Sequence, residues 1–176
     1  VGGIEARVHP ALIPNDHMLS KVSGSFNAVA VESDLAGSTV FIGQGAGQNP
    51  TTSAVMGDLV ELGRNLVNES RPIGINLIDS SLPVRSMTEL ETMYYYRLTA
   101  LDRPGVLSQI SRVLGDLNIS IASVIQKDSD PKNKTAELVI TTHPAKEQAA
   151  RESVASLTAL DVVVEINNLI RMEDLL

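Results

Sequence analysis

The segment MYYYRLTALDRPGVLSQISRVLGDLNISIASVI, residues 93–125, decides the fold, because three local patterns follow one another within it. Residues 93–100 are rich in the aromatic and β-branched residues that favour strands, and residues 101–105 contain the proline and glycine of a turn. Residues 119–125 return to a strand pattern. Between turn and strand, apolar side chains recur at the three- and four-residue steps of a helix with one buried face: Val106, Leu107, Ile110, Val113, Leu114 and Leu117.

The chain after residue 125 completes this pattern. A polar loop over 128–134 precedes a third strand over 136–141, an alanine-rich helix over 144–157 and a fourth strand over 162–166. This order is that of the ferredoxin-like βαββαβ arrangement. Helices cover only one face of such a sheet, so we expect the unit to pair with a copy of itself.

The first third of the chain has shorter elements. Apolar and charged residues alternate over 4–8, which predicts a strand, and two β-branched runs over 27–32 and 38–42 predict a hairpin. Residues 51–67 predict an amphipathic helix capped by Thr51 or Thr52. Its apolar stripe consists of Ala54, Val55, Leu59, Leu62 and Leu66. The fold class is therefore α+β, and residues 69–92, which contain two prolines and no sustained period, are expected to be a linker.

Composition excludes several function classes. The formal net charge of -7 opposes binding to nucleic acid, which requires a basic surface. No apolar run approaches the ~18 residues of a membrane span, and the absence of cysteine excludes thiolate chemistry and disulfides. We expect a cytoplasmic protein that binds neither nucleic acid nor membrane. The chain opens without methionine and without a signal-peptide pattern, which indicates a fragment of a longer protein.

The stretch VFIGQGAGQNPTTSAVMGDL, residues 40–59, resembles a nucleotide-binding loop at first sight. Glycine permits a close backbone approach to a ligand, and a helix N-terminus after it would favour an anion. However, Gly43 to Gly47 is not followed by the Lys-Ser/Thr pair of a phosphate loop, and no complete dinucleotide-binding unit follows. From these residues alone, a structural turn and a ligand contact both stay open.

A second candidate site lies between the first strand and first helix of the βαββαβ unit. Pro104 and Gly105 shape a turn after Asp102, and the amides at the helix start suit a small carboxylate. Asn118, at the start of the next strand, would add an amide side chain to the same ligand. A turn selected only for folding is an equally open interpretation.

Other polar residues have simpler explanations. His9 and His17 lie eight residues apart, which does not match a compact metal-ligand spacing, so we assign no metal ligand. No Ser-His-Asp arrangement can be assembled, and we assign no catalytic residue. The consecutive tyrosines Tyr94 to Tyr96 raise the alternative of base stacking on an RNA-binding sheet, which the acidic charge opposes.

Two stretches of the chain resemble known families. Residues 95–110 and 117–124 look like an ACT domain, a small amino-acid-sensing module attached to metabolic enzymes. Residues 8–19, 24–31 and 43–58 closely resemble homoserine dehydrogenase, and residues 82–91 resemble that family's connector. The resemblance implies three parts: the end of the catalytic and dimerisation region over 1–68, a linker over 69–92 and an ACT domain over 93–176.

The resemblance also implies an activity, the interconversion of L-aspartate semialdehyde and L-homoserine with NAD or NADP. By similarity, Gly47 with Gly45 and Ala46 would contact the cofactor. The family's dinucleotide-binding unit and its catalytic lysine are not in this sequence, so we expect these residues alone to be inactive. A homo-oligomer through the ACT domain and the N-terminal sheet is implied as well.

For the ACT half, similarity implies feedback regulation by an amino acid, with L-threonine the first choice. The expected contacts are, from one copy, Asp102, Gly105, Val106 and Leu107, and, from a neighbouring chain or copy, Asn118 and Ile119. The alternative is a stand-alone amino-acid-binding regulatory protein without catalysis.

Overall fold

The computed structural model describes residues 3–69 and 82–173, apart from the side chain of Asp128. These residues form two compact units, which we describe separately. Residues 14–69 form a hairpin–helix unit, and residues 3–13 with 82–173 form a βαββαβ unit. Half of the expected linker, residues 70–81, lies outside the described residues. The division differs from the expected boundaries in two respects. Residues 3–13 belong to the same unit as the expected ACT domain, and so do residues 82–92, which were expected to be linker.

The elements have the following bounds. The strands are β1 (Ala11–Leu12), β2 (Phe26–Ser33), β3 (Gly37–Gln44), β4 (Glu91–Leu101), β5 (Ile121–Asp130), β6 (Thr135–Thr142), β7 (Ala145–Lys146) and β8 (Val163–Met172). The helices are α1 (Gln48–Val67), α2 (Val106–Asp116) and α3 (Glu147–Thr158), and short 3-10 turns lie at Met18–Lys21 and Met87–Glu89.

The βαββαβ unit is built on one mixed sheet with the strand order β1-β8-β4-β6-β5. β4 lies between β6 and β8 and is antiparallel to both, and β5 pairs antiparallel with β6. The two-residue strand β1 extends the sheet by pairing parallel with β8. The predicted ferredoxin-like arrangement within an α+β chain is therefore confirmed.

The core of this unit forms where α2 and α3 cover one face of the sheet. Alternate residues of β4 are buried, as the two-residue period of a strand requires, and α2 contributes residues at four-residue steps. The buried apolar side chains from these two elements are Tyr94, Tyr96, Leu98, Ala100, Val106, Ile110 and Leu114. Burying each large aliphatic side chain stabilises the fold by about 1.5–3 kcal/mol. Leu107, predicted in the same stripe, is instead 45% exposed.

Two of the three consecutive tyrosines belong to this core. Tyr94 and Tyr96 are 1% and 0% exposed, and their hydroxyl groups bond to Glu147 and Ser153 respectively. A ring buried under α3 cannot stack on a base. The RNA-binding alternative is therefore wrong in assigning these two rings to a stacking surface.

Several helix and strand ends differ from the prediction. α1 begins at Gln48 with Gly47 as its N-cap, so neither Thr51 nor Thr52 caps it. Pro50 fits inside its first turn, where a helix residue has no need of an amide donor. α3 begins at Glu147, not at residue 144, because the residues before it pair with β4 as β7.

The strand expected over residues 4–8 is wrong. Ile4 makes only an isolated parallel bridge to Val84. The regular pairing of this region occurs later, in β1, which lies between Pro10 and Pro14. β1 is only two residues long, so neither proline has to donate within it.

The hairpin–helix unit contains the predicted hairpin, β2 and β3, paired antiparallel from Phe26↔Gln44 to Ser33↔Gly37. The predicted helix, α1, follows it, but its apolar stripe is exposed in this chain, with Val55 at 52%, Leu59 at 54% and Leu66 at 80%. Within residues 3–69 and 82–173, no helix is both long and apolar enough to cross a membrane.

Candidate functional sites

The glycine segment connects β3 to α1, and two of its glycines are required for different physical reasons. Gly47 has φ 133° and ψ 156°, a region that only glycine occupies readily. Gly45 has an ordinary backbone, but a Cβ on it would lie 1.5 Å from Nδ2 of Asn27. Gly43 is a regular strand residue opposite Asn27, with no atom near its would-be Cβ. The segment is thus a tight turn, and the Asn27 side chain packs directly against Gly45.

A shallow groove of about 540 Å³ lies against the first turns of α1. Its lining consists of Gly47, Gln48, Thr51, Thr52, Val55 and Met56. Helix geometry leaves the amides of Gln48 and Asn49 without an intrahelical acceptor, whereas Pro50 has no amide and Thr51 already donates to the Gly47 carbonyl. The two free amides next to Gly47 could donate hydrogen bonds to one side of a ligand. They are too few to enclose a phosphate.

A second cavity, of about 370 Å³, lies where β4 passes into α2. Gly105 caps α2 with φ 86°, in the left-handed region, so a side chain at this position would strain the turn. The amide of Asp102 donates to the Lys134 carbonyl at 2.8 Å, which fixes the base of the loop. The first amides of α2, those of Leu107 and Ser108, have no intrahelical acceptor.

The cavity combines three kinds of contact. The carboxylate of Asp102 suits an ammonium group, and the free amides at the start of α2 suit a carboxylate. The floor is apolar and consists of Ala100, Leu101, Val106, Val124, Ala136 and Leu138. An amine, a carboxylate and a small apolar space together fit an α-amino acid.

The structure brings together four of the six residues predicted to bind an effector. Asp102, Gly105, Val106 and Leu107 all line this cavity. The remaining two, Asn118 and Ile119, follow the opposite end of α2, about 16 Å away along an 11-residue helix.

The side chains of Asn118 and Ile119 differ in solvent exposure. Asn118 is exposed and has φ 57°, a left-handed conformation that ends α2, whereas the Ile119 side chain is 2% exposed and belongs to the core. Within one copy neither lies at the cavity. Their predicted contact requires a neighbouring copy and stays a prediction.

One residue of this cavity, Gln126, was not predicted from the sequence. Gln126, on β5, donates from Nε2 to Oδ1 of Asp102 at 3.3 Å and lines the cavity. Its backbone pairs with Leu138 of β6, which places both side chains on the helix-covered face. The predicted strand ended at residue 125, so Gln126 was not expected to belong to the sheet. Predicting its position would have required the register between β5 and β6.

A buried cluster of charged side chains around Glu147 was also not predicted from the sequence. Glu147, the first residue of α3, is 3% exposed and accepts hydrogen bonds from Tyr94 and from the guanidinium groups of Arg151 and Arg171. Burial alone raises the pKa of a carboxyl group. The three donors outweigh that effect and lower the pKa of Glu147 to about 2. Burial and the adjacent carboxylate raise the pKa of Tyr94, which therefore stays a hydrogen-bond donor.

Two of the three histidines make local hydrogen bonds. Nδ1 of His17 accepts the Leu19 amide at 3.2 Å and caps a 3-10 turn. Nδ1 of His9 lies 3.0 Å from the Pro10 carbonyl oxygen. Among the described residues, no group of three or more His, Asp or Glu side chains could hold a metal ion.

Comparisons with known proteins match two parts of the chain to two different family models. Residues 1–60 match the family model for homoserine dehydrogenase, and residues 97–159 match the model for the ACT domain. The chain is 43% identical to a homoserine dehydrogenase of Mycobacterium tuberculosis over 97% of its own length and 39% of that protein. It is 37% identical to one from Pseudomonas aeruginosa, over 98% of the chain and 41% of that protein.

A solved structure shows the same fold. A homoserine dehydrogenase from Thiobacillus denitrificans superposes with a TM-score of 0.85 at 37% identity, covering 99% of this chain and 40% of that one. The chain thus spans about two fifths of the length of the relatives that it matches.

Proposed function

The chain belongs to the homoserine dehydrogenase family along nearly its whole length, and we propose from this that it is the carboxyl-terminal part of such an enzyme, with regulation by an amino acid. The reaction proposed for the whole protein is the NAD(P)-linked interconversion of L-aspartate semialdehyde and L-homoserine, on the route to threonine and methionine. The match over residues 1–60 favours this function over a stand-alone regulatory protein without catalysis. The proposed location is the cytoplasm.

The hairpin–helix unit contributes one side of the proposed cofactor site. Gly47, with Gly45 and Ala46, would contact the nicotinamide cofactor, which supplies the hydride when bound. A bare backbone at Gly47, the groove beside it and two free amides at the start of α1 support this assignment. These residues bind and orient; none of them carries a proton to or from the substrate.

Replacing Gly47 by valine is expected to raise the Michaelis constant for the nicotinamide cofactor by about tenfold, a loss of ~1.4 kcal/mol in binding. Valine at φ 133° is strained, and its Cβ would lie 3.3 Å from Cδ of Pro50. Steady-state kinetics of the complete enzyme would measure this effect. Gly63→Val, at an exposed position of the same helix with nothing near its Cβ, is the matched control. If the Michaelis constant for the cofactor is unchanged in Gly47→Val, the glycine segment is a structural turn without a cofactor contact.

The βαββαβ unit is the proposed regulatory site, with L-threonine as the first choice of effector. The observation that carries this proposal is the cavity at the start of α2, in which Asp102, the free helix amides and an apolar floor lie together. The ammonium of the amino acid would pair with Asp102, and its carboxylate would accept from the amides of Leu107 and Ser108. Gln126 would bond to either group or to a polar side chain.

Addition of L-threonine is expected to raise the melting temperature of the protein, whereas D-threonine is not. Saturation to 100 times the dissociation constant adds about 2.7 kcal/mol to the free energy of unfolding. Differential scanning fluorimetry with the twenty proteinogenic amino acids would also test the choice of effector. A shift with another amino acid would change the effector, and no shift with any of them would reject an amino-acid site.

A homo-oligomer is proposed through the ACT domain and the N-terminal sheet. The hairpin supports this assembly because it exposes large apolar side chains, among them Val29 at 61% and Phe41 at 64%. Val29 and Phe41 pair across the two strands and so lie on one face of the hairpin, and an exposed apolar face is typical of a protein interface.

A further inference from the structure

Residues 3–13, which match the homoserine dehydrogenase model, are held by the same unit that contains the proposed regulatory cavity. Ala11 and Leu12 pair with Arg171 and Met172 of β8, and the Glu173 amide donates to the Leu12 carbonyl at 2.9 Å. At its start, this segment is held by the connector before β4. The Ile4 amide donates to the Pro83 carbonyl at 2.8 Å, and the Arg85 amide donates to the Ile4 carbonyl at 2.9 Å.

Two ion pairs fix the same segment. Nη2 of Arg7 lies 2.9 Å from Oε1 of Glu173, and these side chains are only 24% and 20% exposed, so water screens the pair less than at an open surface. Glu5 pairs with Arg85 at a more exposed position. Residues 3–13 are therefore bound to the βαββαβ unit at both ends and in the middle.

The proposed regulatory cavity and this segment lie at opposite ends of the same two paired strands. Ala100 and Leu101, at the end of β4, line the cavity, and Ala100 pairs with Val163 at the start of β8. Met93, near the start of β4, pairs with Met172, which in turn pairs with Leu12. Eight residues of strand separate Met93 from Leu101, a distance of about 26 Å.

The far end of β8 is fixed to the rest of its unit. Arg171, whose backbone pairs with Ala11, donates from its guanidinium to Glu147 of α3, which also accepts from Tyr94 of β4. A shift of β8 relative to α3 would break a buried charge pair, which is strongly destabilising, so we expect this end to move together with α3 and β4.

We propose that residues 3–13 couple the regulatory cavity to the catalytic region, with Arg7 and Glu173 as the positioning pair. The inference rests on the proposed function. An effector that shifts β4 and β8 at the cavity end would displace their other end, and residues 3–13 would follow because they are bound to it. Residue 14 begins the other unit, so the covalent chain passes that displacement on. Coupling requires that the effector bind the two positions of β8 with different affinity.

The test uses the complete enzyme with two charge reversals, Arg7→Glu and Glu173→Arg, alone and together. Each single variant places like charges together and is expected to loosen the attachment of residues 3–13 to β8. At saturating L-threonine, its residual activity should rise about fivefold over that of the wild type, the low end of typical allosteric couplings. The uninhibited kcat should stay close to that of the wild type, because neither residue lines the proposed cofactor groove or the regulatory cavity. The double variant restores an opposite-charge pair and should regain inhibition.

Glu152→Arg is the matched control. Glu152 lies on α3 in the same unit, is exposed and bonds only to Gln148 among the described contacts, so the same reversal there should leave inhibition unchanged. Amide hydrogen exchange provides a second readout. In the single variants, the amides of Ile4 and Glu173 should exchange faster, and in the double variant they should be protected again.

The outcomes separate the two proposals. If L-threonine binds and inhibits the wild type and both single variants equally, the coupling role is rejected and the proposed function stands. If inhibition is lost in the single variants and not regained in the double variant, the Arg7–Glu173 pair is not the positioning pair. If no amino acid binds the wild type, the proposed regulation fails and the inference fails with it.

Discussion

The variant Gly105→Val is expected to abolish the thermal shift produced by L-threonine while the βαββαβ unit stays folded. Gly105 has φ 86°, where a β-branched residue is strained by about 1–3 kcal/mol. The strain would be relieved by rotation of the turn, which moves the Leu107 and Ser108 amides away from the cavity. Those amides are the proposed partners of the effector carboxylate, so we expect the dissociation constant to rise at least about a hundredfold, or ~2.8 kcal/mol.

The matched control for Gly105→Val is Gly37→Val. Gly37 also has a positive φ, of 68°, and open space around its would-be Cβ, but it lies in the hairpin–helix unit. This control introduces the same backbone strain without touching the cavity and should keep the full threonine shift. Calorimetric titration would give both dissociation constants, and circular dichroism would show whether the fold is retained. Wild-type affinity in Gly105→Val would place the effector site elsewhere.

The variant Glu147→Gln is expected to lower the free energy of unfolding of the βαββαβ unit by about 3 kcal/mol. Glutamine keeps the shape of the side chain but leaves the guanidinium of Arg171, which is 19% exposed, without its counter-charge. It also leaves one neutral amide oxygen, a weaker acceptor than a carboxylate, for both the Tyr94 hydroxyl and the Arg171 guanidinium. Urea unfolding measured at neutral pH would give the difference. Glu152→Gln makes the same chemical change at an exposed position of α3 and should stay within about 0.5 kcal/mol of the wild type.

The pH dependence of unfolding checks the same cluster. The pKa of Glu147 is lowered from its ordinary value of 4.5 to about 2 in the folded protein. The carboxylate therefore contributes stability that is fully present above pH 4.5 and is lost as the pH falls towards 2. The wild type should lose roughly 3 kcal/mol across this window through this group. Glu147→Gln should lack that loss, and an equal acid sensitivity of both proteins would contradict the assignment.

Local sequence patterns were sufficient for the order of elements in the βαββαβ unit. The alternation in β4 and the helical spacing in α2 depend on periods of two and 3.6 residues, which are set by backbone geometry and are visible in the sequence. The need for glycine at Gly105 also followed from its neighbours, because the turn between strand and helix is a local feature. Local patterns did not determine the ends of the elements, since pairing with a distant strand decided where β7 ends and α3 begins.

The candidate sites were only partly accessible to sequence reasoning. The loop from Asp102 to Leu107 is contiguous, and the sequence therefore showed four residues of the cavity. Gln126 entered the cavity through the register between β5 and β6, which no short window of sequence specifies. Leu107 was predicted as a core residue but lies on the exposed side of α2, because helix docking decides which part of a broad apolar stripe is buried.

The sequence by itself determined the βαββαβ order and the glycine turns, because each of these depends on residues that are near one another along the chain. Its resemblance to known families indicated the family to which the chain belongs. The tertiary structure alone decided that Glu147 meets Tyr94 and Arg171, and that residues 3–13 lie on β8 beside Glu173. The physical reason is that burial, charge pairing and strand register are properties of surfaces in contact. Arg7 and Glu173 are separated by 166 residues in the chain and form one ion pair only because β1 adds to the edge of the sheet.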